Sequence, residues 1–197
     1  MSENKEVKVL LVEDEPFWQE NISKYLEEET DNIKVVKVVS CKEEALEVVK
    51  EESEIDVVLM DINLTRANLD GIEIIEILSR QGVKIIALTS IEDEEVIIKS
   101  FESGAINYIN KSSIFDIITA IQEAVQGKAR IHSDAAPALI SKIKEDKKMQ
   151  VLTSSEREIY KLQKKGYCRK KIAETLFKSV DAVKKQIKSI KRKLDEQ

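Results

Sequence analysis

Glu13-Asp14, Asp61, Thr89-Ser90 and Lys111 carry the chain's most legible chemistry, because each closely follows a short apolar run. The runs are VKVLLV at 7–12, IDVVLM at 55–60, VKIIAL at 83–88 and INYIN at 106–110. If they form neighbouring parallel strands, three carboxylates converge at their ends. Such a cluster repels itself until a divalent cation occupies it, and an all-oxygen donor set favours Mg²⁺. The same cation would neutralise charge developing on a phosphoryl group as it moves to a carboxylate nucleophile. Asp61 is the expected nucleophile, as the lone acid closing the most hydrophobic run. Glu13 and Asp14 then hold the metal, directly or through water. Thr89 and Ser90 offer a hydroxyl for a phosphoryl oxygen, and Lys111 offers a mobile ammonium for another. Glu15 and Asp70 read instead as loop acids that cap helices. Tyr108, three residues before Lys111, has a polar tip that can choose between buried and exposed rotamers.

The elements that must position these groups alternate along residues 6–126. Strands are expected at 7–12, 34–39, 55–60, 83–88 and 106–110, and helices at 16–29, 42–51, 71–80, 92–102 and 114–126. Ile114, Ile117, Ile118, Ile121 and Val125 mark the apolar face of the last helix, close to the 3.6-residue period. Gly82, Gly104 and Gly127 follow helical stretches, where left-handed geometry is useful. Five such units with short joins predict an α/β fold with a doubly wound five-stranded parallel sheet, whose ligands bind beyond the strands' carboxyl ends. Residues 127–150 read as a linker with a short helix around 138–143, after Pro137. A small all-α domain follows from 151 to 197, with Thr153 or Ser155 as its first N-cap. Its first helix is expected to end near Gly166, a second to run at about 169–176 and a third at about 180–194, the last capped by Ser179. Two helices with a short connection in a basic segment read as helix-turn-helix.

Charge divides the chain in the same place. The net charge is -5 over 197 residues. Residues 148–197 carry 15 Lys/Arg against 6 Asp/Glu, leaving -14 for residues 1–147. A basic tail beside an acidic front makes nucleic acid the first candidate partner for the tail. In the last helix Val183, Ile187, Ile190 and Leu194 form one apolar stripe. Lys184, Lys188 and Lys191 lie on an adjacent face, with Lys185 and Arg192 further round. That distribution suits a helix in a major groove, where cations meet phosphates and one or two side chains reach base edges. Cys41 and Cys168 show no metal-ligand or redox spacing, and His132 is the only histidine, so a zinc site is not expected. The start has no signal-peptide layout and no segment reaches the length of a membrane span, which leads to the expectation of a cytoplasmic protein with no membrane partner. The absence of a glycine-rich phosphate loop or ATP-binding motif argues against a small phosphatase or kinase.

Glu13-Asp14, Asp61, Asp70-Gly71, Thr89, Gly104-Ala105, Tyr108 and Lys111 together resemble the receiver domain of bacterial two-component response regulators, over about residues 5–126. The resemblance implies a flavodoxin-like fold and transfer of phosphate to Asp61 from a sensor histidine kinase with Mg²⁺ bound. The expected metal set is Glu13, Asp14, Asp61 and Asn63. Thr89 and Tyr108 become the switch pair, shifting together and altering the surface spanning roughly 92–121. Two departures stand out. The loop NLTRANL before Asp70-Gly71 is two residues longer than usual and lacks a proline, and Ser112 replaces the usual proline after the lysine.

Residues 151–194 resemble the DNA-binding domain of LuxR-type (NarL-type) regulators. The matching residues are Leu152-Thr153, Glu156-Arg157-Glu158, Gly166, Lys170, Ile172-Ala173, Leu176, Ser179, Val183-Lys184, Ile190 and Lys193-Leu194. Lys184, Lys185 and Lys188 fall at the DNA-facing positions of the recognition helix. Lys171, Ala182 and Gln186 depart from common choices, and the family's fourth output helix is missing after Lys193-Leu194. Paired binding to double-stranded DNA would then depend on a homodimer through the receiver domain. The expected function is a phosphorylation-switched transcription regulator with a receiver at 1–126. The alternative is a receiver whose basic tail binds protein or RNA without sequence-specific DNA recognition.

Overall fold

The computed structural model describes residues 6–51, 54–64, 69–128 and 130–195. It divides into two units, residues 1–139 and 140–197. In the first unit the VKVLLV run becomes β1 (Val7–Val12), in which only Lys8 falls short of full burial. Such a run suits a strand covered on both faces. It joins β2 (Ile33–Val39), β3 (Val57–Met60), β4 (Ile85–Thr89) and β5 (Asn107–Asn110). The sheet is parallel throughout, in the order β2-β1-β3-β4-β5. The chain winds one way from β1 to β2 and the other way through β3, β4 and β5. Loops leaving β1 and β3 therefore part company and open a crevice at the strands' carboxyl ends.

Side chains alternate across the sheet with the period of two that strands require. Leu10, Val58 and Met60 enter a core shared with α2 (Lys42–Glu51), α3 (Asp70–Ser79) and α4 (Glu94–Glu102). Val9, Leu11 and Leu59 enter a second core under α1 (Pro16–Glu29) and α5 (Ile117–Val125). Each Leu, Ile or Val fully buried here contributes roughly 1.5–3 kcal/mol. Gly82, Gly104 and Gly127 all take positive φ, as expected after helices. At Gly104 the constraint is double, since φ is +110° and an added Cβ would stand 2.4 Å from Ser79 Oγ.

Several stretches differ from expectation. β3 and β4 each begin two residues late, and β4 extends to include Thr89. The helix expected over 114–126 opens as a tight 3-10 turn over Lys111–Asp116, and α5 proper starts only at Ile117. Ser113, at φ -100° and ψ 31°, is the non-helical break. Where a short helix was expected after Pro137, α6 spans Ala136–Gln150. Proline fits a first helical turn, where its missing N–H has no partner to lose, and Lys147 and Lys148 suit the C-terminal end. Ala138 is the one buried residue of α6 and joins the core that holds Ile97 and Tyr108.

The second unit holds α7 (Ser154–Lys164), α8 (Arg169–Thr175) and α9 (Val180–Asp195) around Leu152, Ile159, Ile172, Ala173, Val183 and Ile190. Ile187 and Leu194 pack against the same cluster and complete the expected stripe. Of the two possible caps, Thr153 is the one used: its hydroxyl accepts from the Glu156 N–H while the Glu156 carboxylate accepts from the Thr153 N–H. Ser179 Oγ accepts from the Ala182 N–H at 3.1 Å at the start of α9. The α8–α9 turn passes through Phe177 at φ +53°, a left-handed conformation unusual for a bulky residue.

Candidate functional site

The crevice at the ends of β1, β3 and β5 gathers Glu13, Asp14, Asp61 and Lys111. Glu13, Asp61 and Lys111 are buried, at 1%, 5% and 4% exposure. Lys111 Nζ donates to Asp61 Oδ2 at 2.8 Å and stands 2.6 Å from Glu13 Oε2. Its ammonium also lies 5.2 Å from the centre of the Trp18 ring, within cation–π range. The other Asp61 oxygen, Oδ1, accepts from the Asn63 N–H at 3.2 Å, and Glu13 Oε1 accepts from the Glu15 N–H at 3.2 Å. Buried charges persist only when paired in this way, and one ammonium serves two carboxylates here. Burial, opposed by the Lys111 hydrogen bond and aided by repulsion from Asp61, pushes the Glu13 carboxyl up to about 7. Burial also raises the Asp14 carboxyl, with the Asp61 charge acting in the same direction.

The arrangement fits a hard divalent cation. One carboxylate oxygen each from Glu13, Asp14 and Asp61 lies within 4.8 Å of the others. Asp14 Oδ1 is buried with no hydrogen-bond partner among the described residues. An orphaned buried carboxylate oxygen is rare because its desolvation is uncompensated, and metal coordination is one of the few ways to satisfy it. Asn63, the fourth residue expected at a metal, is exposed and contacts Asp61 through its backbone N–H. Of the long loop NLTRANL, residues 65–68 lie outside the described residues.

Thr89 is 1% exposed at the end of β4, whereas Ser90 is exposed. Thr89 Oγ1 accepts weakly from the Ile91 N–H, at 3.4 Å. Tyr108 points inward at 1% exposure, its phenol donating to the Ile91 carbonyl, and burial raises its pKa. Ser112 stands where a proline was expected, and Asn110 supplies the missing restraint. Its Oδ1 accepts from Ser112 N–H at 2.9 Å and from Ser112 Oγ at 2.7 Å, holding the turn that aims Lys111.

In the second unit Lys184, Lys185, Lys188 and Lys191 are all exposed along α9, with Arg192 beside them. Sequence reasoning missed what anchors that helix. Glu156, 5% exposed, accepts from Ser189 Oγ at 2.8 Å and from Lys193 Nζ at 2.6 Å in addition to its capping bonds. Only the capping-box spacing was visible in the sequence. Burial alone would raise the Glu156 carboxyl, yet Lys193, the Thr153 N–H and the Ser189 and Thr153 hydroxyls together lower it to about 2. A depressed folded-state pKa stabilises above the unfolded value, roughly 4.3, and that contribution is lost as pH falls through the folded value. Glu156→Gln is therefore expected to destabilise the helical unit at pH 7 by about 1.5–3 kcal/mol, the scale of hydrogen bonds to a charged group. The deficit should shrink below pH 4.5 and vanish near pH 2, read from exchange of the α7–α9 amides in the full chain. A deficit independent of pH would contradict the charged role of Glu156.

A family model for the response regulator receiver domain matches residues 9–122. The chain is a response regulator. It is of the LuxR/NarL type, a receiver with a C-terminal output domain. The regulator is 33% identical over 196 residues to the transcriptional regulatory protein LiaR of Bacillus subtilis, covering 96% of this chain and 91% of LiaR. It is 31% identical over 192 residues to the nitrate/nitrite response regulator protein homolog of Haemophilus influenzae, covering 96% and 90%. A structure of the Salmonella typhimurium RcsB response regulator, solved in a study of its DNA interaction, shares the fold with a TM-score of 0.71 at 21% identity, covering 96% of the regulator and 93% of that chain. Among the regulator's described residues no helix is long and apolar enough to cross a membrane.

Proposed function

We propose that the regulator accepts a phosphoryl group on Asp61 from a sensor histidine kinase and thereby controls transcription through DNA binding by its basic helical unit. The observation that carries the first half is the Lys111 ammonium held between Asp61 and Glu13, beside an Asp14 oxygen that has no partner among the described residues. In the transfer, one Asp61 carboxylate oxygen forms a bond to phosphorus as the P–N bond of the donor phosphohistidine breaks, and the electron pair returns to the imidazole. Mg²⁺ held by Glu13, Asp14 and Asp61, with Asn63 adjoining, would supply positive charge against the phosphoryl oxygens. Lys111 stays close enough to follow the charge from the carboxylate to its phosphoryl group, and Thr89 offers the hydroxyl for a second oxygen. Tyr108 senses the change through Ile91, whose backbone bonds to both residues. We assign reception to residues 1–126, connection to 127–150 and output to 151–197. We place the work in the cytoplasm, with pairing on DNA through a receiver homodimer.

The second half rests on the exposed lysines of α9 and on a relative, LiaR, named as a transcriptional regulatory protein. Each cation meeting a phosphate releases counterions, with a slope near 0.9 in log affinity against log salt. Replacing Lys184 and Lys188 with Ala should lower affinity for a selected duplex at least tenfold and flatten the salt slope by about 2. The test is a salt titration with selected and random duplexes, done with the unsubstituted chain and the double variant. Equal, steeply salt-dependent binding to every duplex would contradict sequence-specific recognition, and an unchanged slope in the variant would displace the proposed DNA-facing surface.

A further inference from the structure

β5 is an edge strand that pairs with β4 alone, so its outer side presents backbone groups in need of partners. Residues 130–138 supply a partner for one of them, and the Asn107 side chain, itself bonded to that segment, supplies another. The Asp134 carboxylate accepts from the Asn110 N–H at 2.9 Å. The Asn107 side-chain oxygen accepts from both the Tyr108 N–H, at 2.9 Å, and the His132 N–H, at 3.0 Å. The His132 ring stands between two carboxylates, 3.0 Å from Asp116 and 3.1 Å from Asp134. Ala135 and Ala138 then enter the core that contains Tyr108.

These fastenings fall on the residues that would feel a phosphoryl group. Asn110 directly precedes Lys111, whose ammonium holds Asp61. Tyr108 is bound at both ends: its phenol to the Ile91 carbonyl, and its backbone N–H to the Asn107 oxygen that also receives His132. Ile91 in turn donates to Thr89 Oγ1. Between Ile91 and the start of α6 lies a cleft of about 300 Å³, lined by Tyr108, Asp134, Pro137 and Ala138, which gives these groups room for a second arrangement.

We propose that residues 130–138 form a latch that closes on β5 while Asp61 is unmodified and opens when Asp61 carries phosphate, with Asp134 as the positioning residue that links the latch to the Lys111 turn. The proposal rests on Asp61 being the phosphoacceptor. A phosphoryl group draws Lys111 and Thr89 toward itself. Asn110 and Ile91 shift with them, and the bonds that join Asp134 to Asn110 and His132 to Asn107 are lost. Opening frees the first turn of α6, the helix that leads toward the output unit. A phosphate mimic opens the latch only by binding the open state better, and by linkage an already open latch must bind the mimic better by the same factor.

Hydrogen exchange of the full chain, with and without Mg²⁺ and beryllofluoride, tests this, with a ¹⁹F NMR signal reporting the bound mimic. Exchange at residues 131–139 and at the Asn110 N–H should accelerate about fivefold or more on binding. Asp134→Ala should show that acceleration without the mimic and bind the mimic more tightly by a similar factor, while Asp134→Asn, which keeps an acceptor oxygen, should behave as the unsubstituted chain. His132→Ala, further along the latch, provides a second variant if Asp134→Ala does not fold. Bound mimic with unchanged latch exchange would overturn the latch and leave Asp61 as acceptor. Faster exchange in both latch variants with unaltered mimic affinity would reduce residues 130–138 to an edge cover and also overturn it. Failure of the unsubstituted chain to bind the mimic would remove both readings.

Discussion

An Asp61→Asn chain should take up no phosphoryl group from acetyl phosphate and Mg²⁺, while the unsubstituted chain takes up one, as read by intact mass. The substitution preserves shape and leaves an oxygen to accept the Asn63 N–H, so the β3–α3 connection keeps its local bond. It removes the anionic oxygen that Lys111 holds at 2.8 Å and that would attack phosphorus. A neutral amide is a far weaker nucleophile, so the effect is loss of the reaction rather than a graded decline. Replacing one of three crowded carboxylates also relieves repulsion, so folding should not be the cause of the loss. Full modification of the variant would place the acceptor elsewhere.

Gly71→Ala should damage both stability and phosphoryl uptake, for a reason visible only in three dimensions. A Cβ at Gly71 would stand 2.2 Å from the Asp61 carbonyl oxygen and 2.6 Å from Ile62 Cα. Both are backbone atoms, so no flexible side chain can yield. The first turn of α3 rests directly on the segment that carries Asp61, and the Gly71 N–H donates to the Ile62 carbonyl at 3.1 Å. Overpacking of this kind costs about 1–3 kcal/mol, sometimes more when backbone must move. Trp18, the single tryptophan, lies in α1 and reports receiver unfolding in urea. Gly82→Ala is the internal comparison: φ is +82° but nothing lies within 4 Å, so only backbone strain of about 1 kcal/mol is expected. Equal stability of the two variants would show that α3 is not seated on Asp61 as described.

The sheet and the acidic crevice were legible because both arise from local rules. Each strand is a continuous apolar run, and a parallel doubly wound order brings the residues just beyond those runs to one edge. The apolar stripe of α9 was legible for the same reason, from its helical period. Longer-range restraints were not. Nothing at Asn110 announces that its side chain replaces a proline in holding the Lys111 turn. Glu156 reads as a helix cap, and its bonds to Ser189 and Lys193 depend on how α9 folds back over α7. Pro137 looked like punctuation before a short helix. In α6 it becomes a tolerated first-turn proline, with Lys142 and Asp146 3.6 Å apart across one turn further along. The His132 and Asp134 contacts with β5 were equally hidden, since an edge strand is known only once the strand order is known.

Whether Glu13, Asp14 and Asp61 form one cation pocket can be asked directly by titrating Mg²⁺ into the full chain, measuring bound metal by equilibrium dialysis and Trp18 fluorescence in parallel. A single site should fill, the fluorescence should change with the same midpoint because Lys111 couples the indole to the acids, and both signals should disappear in Asp14→Asn. No saturable site, or a site of undiminished affinity in Asp14→Asn, would contradict the account.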